Sequence, residues 1–434
     1  MLRNHFSSTR AILSIILMTA GLRLVPLAPG QTYTALYAFH GADGARPSDG
    51  VIFDAAGNLY GVTVKGGARN HGAVYQLSPG QGGSWVQTVL YSFGSKSQDG
   101  TTPFGGLVLD AAGNLYGTTE HGGAFGAGTV FQLSTGGGTW TETILHSFGQ
   151  GTDGAVPMAS LSMDAAGNLF GTTNFGGTIL TCGNPPTSCG TVFELSPDGS
   201  GGWNYSVIHN FPSQSADGYF PLANVTPDGL GNLYGTASKG GPYAGGIVFK
   251  LTPSGNQWTW KLVHPYGNPP NGHGPEGYYP YAGMIFDADG NMWNTTMTGG
   301  SHNGTIVIFK PNGTGGWKQF HPSGLGFPPY GTYAAGNMVS DATGNVYGTT
   351  VLGGSGKNGT IFVVSPTQTG WQQTVLYNFT GGADGGYSDS PLVADQDGNL
   401  YGTAWYGGNT TQCKTGQPIP GCGVVFKLAP APRK

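Results

Sequence analysis

The chain has 434 residues, and 81 Gly with 29 Pro make about a quarter of it from the two residues least tolerated inside helices, which excludes a helical bundle. Charged residues are 9% against ~25% in an ordinary soluble domain, while aromatics reach 12%, so neither a disordered tail nor a coiled coil fits. The formal charge of -4 at pH 7 gives no basic footprint for nucleic acid.

Residues 1–30 carry Arg3 and Arg10, then the apolar run Ala11 to Leu22, then Ala28-Pro29-Gly30, a small-x-small site before Gln31. This pattern predicts a secretory signal peptide, too short to span a bilayer core of ~30 Å, and hence a secreted or periplasmic protein without a membrane span. Removing those residues takes three Arg and no acid, leaving 14 basic residues against 21 acidic ones, a net -7. The first Cys is Cys182, so no lipid-anchoring thiol follows the cleavage site.

From residue 31 to 434 the chain reads as one domain built on a period. Asp-x-x-Gly-Asn followed by an aromatic or apolar run starts at Asp54, Asp110, Asp164, Asp228, Asp287, Asp341 and Asp395, a mean spacing of about 57 residues. Twelve residues after each Asp stands a double Gly, from Gly66-Gly67 to Gly407-Gly408, and the offset never varies. Each copy continues with Gly and a β-branched run, such as GTVFQLST from Gly128. Trp85, Trp140, Trp203, Trp258, Trp317 and Trp371 then lead a further strand in six copies. The seventh lacks it, and the missing strand stands at the other end, where Tyr33 to Phe39 reads YTALYAF beside VLYSF of the first copy. The expectation is an all-β, seven-bladed β-propeller of four-stranded blades, closed by the N-terminal strand pairing into the last blade. Closure also removes the open edge that would otherwise aggregate.

Double Gly, then Tyr75, Phe131, Phe193 or Phe249, then Trp, resembles a kelch repeat, although the period exceeds the ~50 residues typical of kelch. The closer resemblance is to the GloVer tandem repeat of exported bacterial proteins, through L-x-x-D-x-x-G-N-L-Y-G-T-T and G-T-V-F-x-L-x-P over nearly all of residues 33 to 430. That resemblance implies an extracellular repeat protein without an established activity, often with a C-terminal sorting signal; here APAPRK follows the last strand directly.

Cysteines fall as two local pairs, Cys182 with Cys189 and Cys413 with Cys422, and export permits two disulfides. The spacing of a structural zinc site is missing, and no metal or cofactor is expected. Asp287-Ala-Asp289 and Asp395-Gln-Asp397 begin like calcium loops, but Thr298 or Tyr406 stands where a bidentate Glu is required. The seven repeat Asp side chains are expected to accept turn amides.

Eleven residues before the repeat Asp lies a second series, Asp43, Asp99, Asp153, Asp217, Glu276 and Asp384, with Tyr330 in the sixth copy. On the face of the double-Gly loops such an acidic loop ring can gather a cation or bond sugar hydroxyls; Asp-Gly turns are the simpler reading. His146, His209 and His264 stand where Tyr37, Tyr91 and Tyr377 stand elsewhere, as packing variants. Symmetry breaks most in the neighbouring loops His264–Tyr281 and His321–Tyr333, rich in Pro and Tyr. Their stiff aromatics suit stacking on sugars or protein partners, so His273, Glu276, Tyr278, Tyr279, Tyr281, Tyr330 and Tyr333, with Trp405 and Tyr406, are the candidate ligand-binding residues.

These residues fit an exported non-catalytic recognition or scaffold propeller, a monomer binding a glycan or extracellular protein on its loop face. The alternative is an extracellular glycan hydrolase or lyase. Its weak catalytic candidates are Glu120 and His121, and the motifs of serine hydrolases, phosphate loops and zinc proteases are absent.

Overall fold

The computed structural model describes residues 31–430 apart from 179–188, 213–215, 268–276, 300–302, 325–329, 410, 412 and 414–419. Seven four-stranded antiparallel sheets follow one another, as anticipated, and among the described residues the sole helical element is a single 3-10 turn at Gln81–Gly83. Blade 1 runs outward through Ala45–Phe53, Leu59–Lys65, Ala73–Pro79 and Trp85–Ser92. Blades 2 to 6 repeat this order. Blade 7 has Val393–Ala394, Leu400–Ala404 and Val424–Ala429, and its outer strand is the N-terminal Thr32–Ala38, paired antiparallel with Tyr33 opposite Leu428.

The second strand of each blade is buried on both faces, for instance Leu115–Thr119, because a neighbouring blade covers each side. Between blades the outer strand ends in an aromatic that packs on the next blade's third strand. Phe39 meets Tyr75, Phe93 meets Phe131, Phe148 meets Phe193, Phe211 meets Phe249 and Phe379 meets Phe426, with ring centroids 5.0 to 5.4 Å apart. These rings fill the inter-blade layer, and the glycine of N-L-Y-G makes room for them: a Cβ on Gly117 would lie 2.7 Å from Phe131 Cζ.

Each repeat Asp closes its turn in the same way. Asp54 Oδ1 accepts the amides of Ala56 and Asn58, both at 2.9 Å, and Oδ2 accepts Asn58 Nδ2 at 2.7 Å and the Tyr60 hydroxyl at 3.0 Å. Burial alone would raise the pKa of this carboxyl, but these donors outweigh it and hold it below the usual carboxylate range.

The outer-strand histidines are packing residues. The His146 ring stacks on Tyr205 at 3.8 Å, His209 lies parallel to Trp260, and burial lowers the His209 pKa to about 4. Cys413 and Cys422 form a disulfide with Cα atoms 5.4 Å apart. Cys189 is also disulfide-bonded, while Cys182, the partner that its spacing predicts, lies outside the described residues.

Candidate functional site

The loops entering the inner strands and the double-Gly loops share one face, as their spacing implied. Thr101 pairs with His121, and equivalent bridges join Tyr219 to Lys239, Tyr278 to Thr298, Thr332 to Leu352 and Gly386 to Tyr406.

Three residues after each acidic-series position the chain takes a left-handed turn without glycine, at Arg46, Thr102, Val156, Phe220, Tyr279, Tyr333 and Tyr387, with φ between 58° and 60°. Each turn is held from both sides. The amide of Tyr279 donates to Gly245 O of the preceding blade at 2.8 Å, and its carbonyl accepts Met297 N at 3.0 Å. The same pair of bonds secures Phe220, Tyr333 and Tyr387, and the Arg46 amide reaches Cys422 O of blade 7 at 2.7 Å. In blades 4 to 7 all four turn residues are aromatic, so consecutive blades carry an arc of aromatic residues with fixed backbones in the loops of this face. Tyr279 is 36% exposed. Tyr406 packs edge-on against Tyr387 at 5.5 Å, beneath the guanidinium of Arg46 at 5.6 Å from its ring.

Inside this arc the first inner strand and the segments leading into the others surround a cavity of about 200 Å³. Phe104, Met158, Leu222 and Tyr281 supply apolar and aromatic wall, and blades 1 and 7 supply two carboxyls, Asp49 and Asp389. Asp49 sits where the register of the first inner strand slips between Ser48 and Ile52, with φ 51°. Its Oδ2 accepts Gly106 N at 2.6 Å and the Ser160 hydroxyl, tying blade 1 to blades 2 and 3. Asp389 Oδ1 accepts Trp405 Nε1 at 2.5 Å, and Trp405 packs on Phe104 at 5.4 Å. Neither carboxyl has a Lys, Arg or His partner among the described residues. Desolvation lifts both, to about 7, and the charge of Asp389 adds to the rise at Asp49. Across the cavity Asn337 donates to Asn224 Oδ1 at 2.8 Å and accepts Gly283 N at 2.5 Å.

The predicted candidates divide among several places. Tyr281 lines the cavity, Tyr279 and Tyr333 belong to the arc, and Trp405 and Tyr406 stand between arc and cavity. Tyr278 packs beside Gly267 and Tyr330 lies at the start of the sixth loop, both partly buried. His273 and Glu276 lie outside the described residues. Glu120 and His121 approach each other at 3.6 Å at the short strand His121–Gly122, and neither lines the cavity.

The acidic series is engaged by the outer strand of the preceding blade. Asp43 accepts Tyr37 OH at 2.5 Å, Asp99 accepts Tyr91 OH at 2.9 Å, Asp153 bonds His146 Nε2 at 3.0 Å, and Asp384 accepts Tyr377 OH at 2.9 Å. Asp43, Asp99, Asp153 and Asp384 also cap nearby loop amides, which is turn chemistry, and none lines the cavity. Asp217 is lifted by burial. Among the described residues no group of three His, Cys, Asp or Glu side chains is placed to hold a metal.

Sequence reasoning missed Asp49 and Asp389. Aligning the seven copies by the repeat Asp would have exposed them. Asp389 occupies the column of Phe104, Met158, Leu222 and Tyr281, and Asp49 that of Gly105, Ala159 and Ala223.

The profile of the Gloeobacter/Verrucomicrobia repeat matches residues 24–229 and again 230–434. None of the curated proteins matches the chain. A crystal structure of an unknown function protein from Dyadobacter fermentans DSM 18053 is similar at 13% identity and a TM-score of 0.44, over 80% of this chain and 98% of that one.

Proposed function

The chain belongs to the Gloeobacter/Verrucomicrobia repeat family, and on that premise we propose an exported, non-catalytic recognition or scaffold propeller that holds a glycan or protein partner on its loop face. The supporting observation is the arc Phe220, Tyr279, Tyr333 and Tyr387 on consecutive blades, each fixed by backbone bonds to its neighbour. Aromatic side chains with two rotatable bonds on a fixed backbone lose little entropy on binding, and their faces suit sugar rings or apolar side chains. The test is a glycan array and a pull-down, run with wild type and with Tyr279→Ala plus Tyr333→Ala. Retained binding in the folded double variant removes the reading.

Asp49 and Asp389 favour one second reading, glycan hydrolysis or lysis, because two protonatable carboxyls in a cavity are what acid and base catalysis requires. This pair serves that chemistry better than Glu120 and His121. Release of reducing ends from a polysaccharide panel, abolished by Asp389→Asn, would replace recognition with catalysis.

A further inference from the structure

We infer that the central cavity receives a protonated primary amine carried on a small apolar body, with the ammonium seated between Asp49 and Asp389. This site is separate from the aromatic arc, and it does not depend on a glycan or protein partner there.

Three observations carry it. First, the two carboxyls come from adjacent blades and open on one cavity without a cationic partner among the described residues. Arg46, three residues before Asp49, is the nearest basic residue in sequence, and its guanidinium stands over the Tyr406 ring. Carboxylates facing one another across a confined cavity are costly to ionise together unless countercharged, and an ammonium supplies the missing charge. Second, bonding is incomplete. Asp49 Oδ2 takes two donors, whereas Oδ1 takes none among the described residues, which leaves an acceptor for an N–H. Third, the remaining wall is Phe104, Met158, Leu222 and Tyr281, with Trp405 behind Phe104. Aromatic faces and a thioether attract cations and shelter an alkyl or benzyl group.

Competing occupants fit less well. A calcium ion needs six to eight oxygens, and the Asn224 and Asn337 amides are bonded to each other. A neutral sugar, which the hydrolytic reading would place here, needs many free hydrogen-bonding groups, and the Ser160 hydroxyl and the Trp405 indole are already given to the acids, which weighs against that reading.

The pair also makes binding depend on pH. Among the described residues the other titratable group lining the cavity is Tyr281, and Arg46, Tyr279, Tyr333, Tyr387 and Tyr406 stand on the surrounding loops, so these aspartates are the acids of the cavity. Seating an ammonium favours their ionised forms and expels protons.

The experiment is calorimetric titration of the full chain with benzylammonium chloride, and with benzyl alcohol as the uncharged match. Expected are binding of the amine near pH 8, a loss of about tenfold or more near pH 5, and proton release in buffers of different ionisation heat around neutrality. Asp389→Asn should weaken binding by about tenfold or more. Asp49→Asn can unfold the ring, since that side chain ties three blades, so the Asp389 variant and the buffer-dependent proton count carry the test. No amine binding, equal affinity for benzyl alcohol, or unchanged amine binding in folded Asp389→Asn would each overturn the inference.

Discussion

The hydroxyl of Tyr266 donates to Asn294 Oδ1 at 2.9 Å, with both side chains fully buried. The other six copies have Gly at the second position, and five have Phe at the first, as with Phe93 and Gly117 in blades 1 and 2, while the remaining one has Leu325. In blade 5 the third-strand ring is replaced by Val307, which pairs with Asn294, and the amide occupies the space that the ring leaves. Asn294 Nδ2 is satisfied by Ala282 O at 2.9 Å and Gly283 O at 3.1 Å. Three differences from the repeat therefore compensate one another.

Asn294→Gly should cost about 1–3 kcal/mol, because it strands a buried hydroxyl and opens a void. Tyr266→Phe should also destabilise. The triple change Asn294→Gly, Tyr266→Phe and Val307→Phe should recover most of the loss by restoring the arrangement of the other blades. Urea unfolding measures all three, and simple additivity of the single losses would contradict the compensation.

Gly117→Ala should destabilise by about 1–3 kcal/mol through overpacking, since its Cβ would lie 2.7 Å from Phe131 Cζ and 3.1 Å from Leu107 Cδ2. Gly136, in the exposed end of the following strand, has nothing within 4 Å of where a Cβ would stand, and so tests the substitution itself. Gly136→Ala should change stability by no more than about 0.5 kcal/mol. Equal melting temperatures for the two variants would count against close packing of the Phe131 ring over this glycine.

The Cys413–Cys422 bridge closes a short loop against the cluster of Phe39, Tyr75 and Val425. Cys413→Ser with Cys422→Ser should remove about 2–3 kcal/mol. Thermal melts with and without reductant provide the check: the wild type should shift on reduction more than the double variant does.

Asp49 and Asp389 have folded-state pKa values of about 7, above the ordinary 3.8, so the folded state binds their protons more tightly than the unfolded chain does. Their contribution to stability is complete below about pH 4 and is lost as pH rises toward 7, with a slope of up to about 1.4 kcal/mol per pH unit for each group. His209, lowered to about 4, acts oppositely, losing stability as pH falls from 6.5. The clean measurement is therefore a difference: Asp389→Asn should gain on the wild type as pH increases from 4 to 8. A difference independent of pH would show that the carboxyl is not desolvated.

Blade count and closure were readable because each blade must bury both faces with the same residues, so Asp54 to Asp395 and Tyr33 to Phe39 repeat the same physical demands. The direction of the acidic series was less readable. Spacing locates Asp99 in a loop, but its bond to Tyr91 depends on how the outer strand returns past that loop. Asp49 and Asp389 were hidden for a different reason. They occupy different columns of the repeat at opposite ends of the sequence, and only the closed ring brings them to one cavity.

That closure has a consequence for synthesis. Tyr33 leaves the ribosome among the earliest residues of the domain, and its partner Leu428 among the last, so the first strand waits unpaired while six blades form. The cavity acids obey the same timetable. Asp49 and Asp389 share no environment until the last blade forms, so a nascent chain carries both residues without the site.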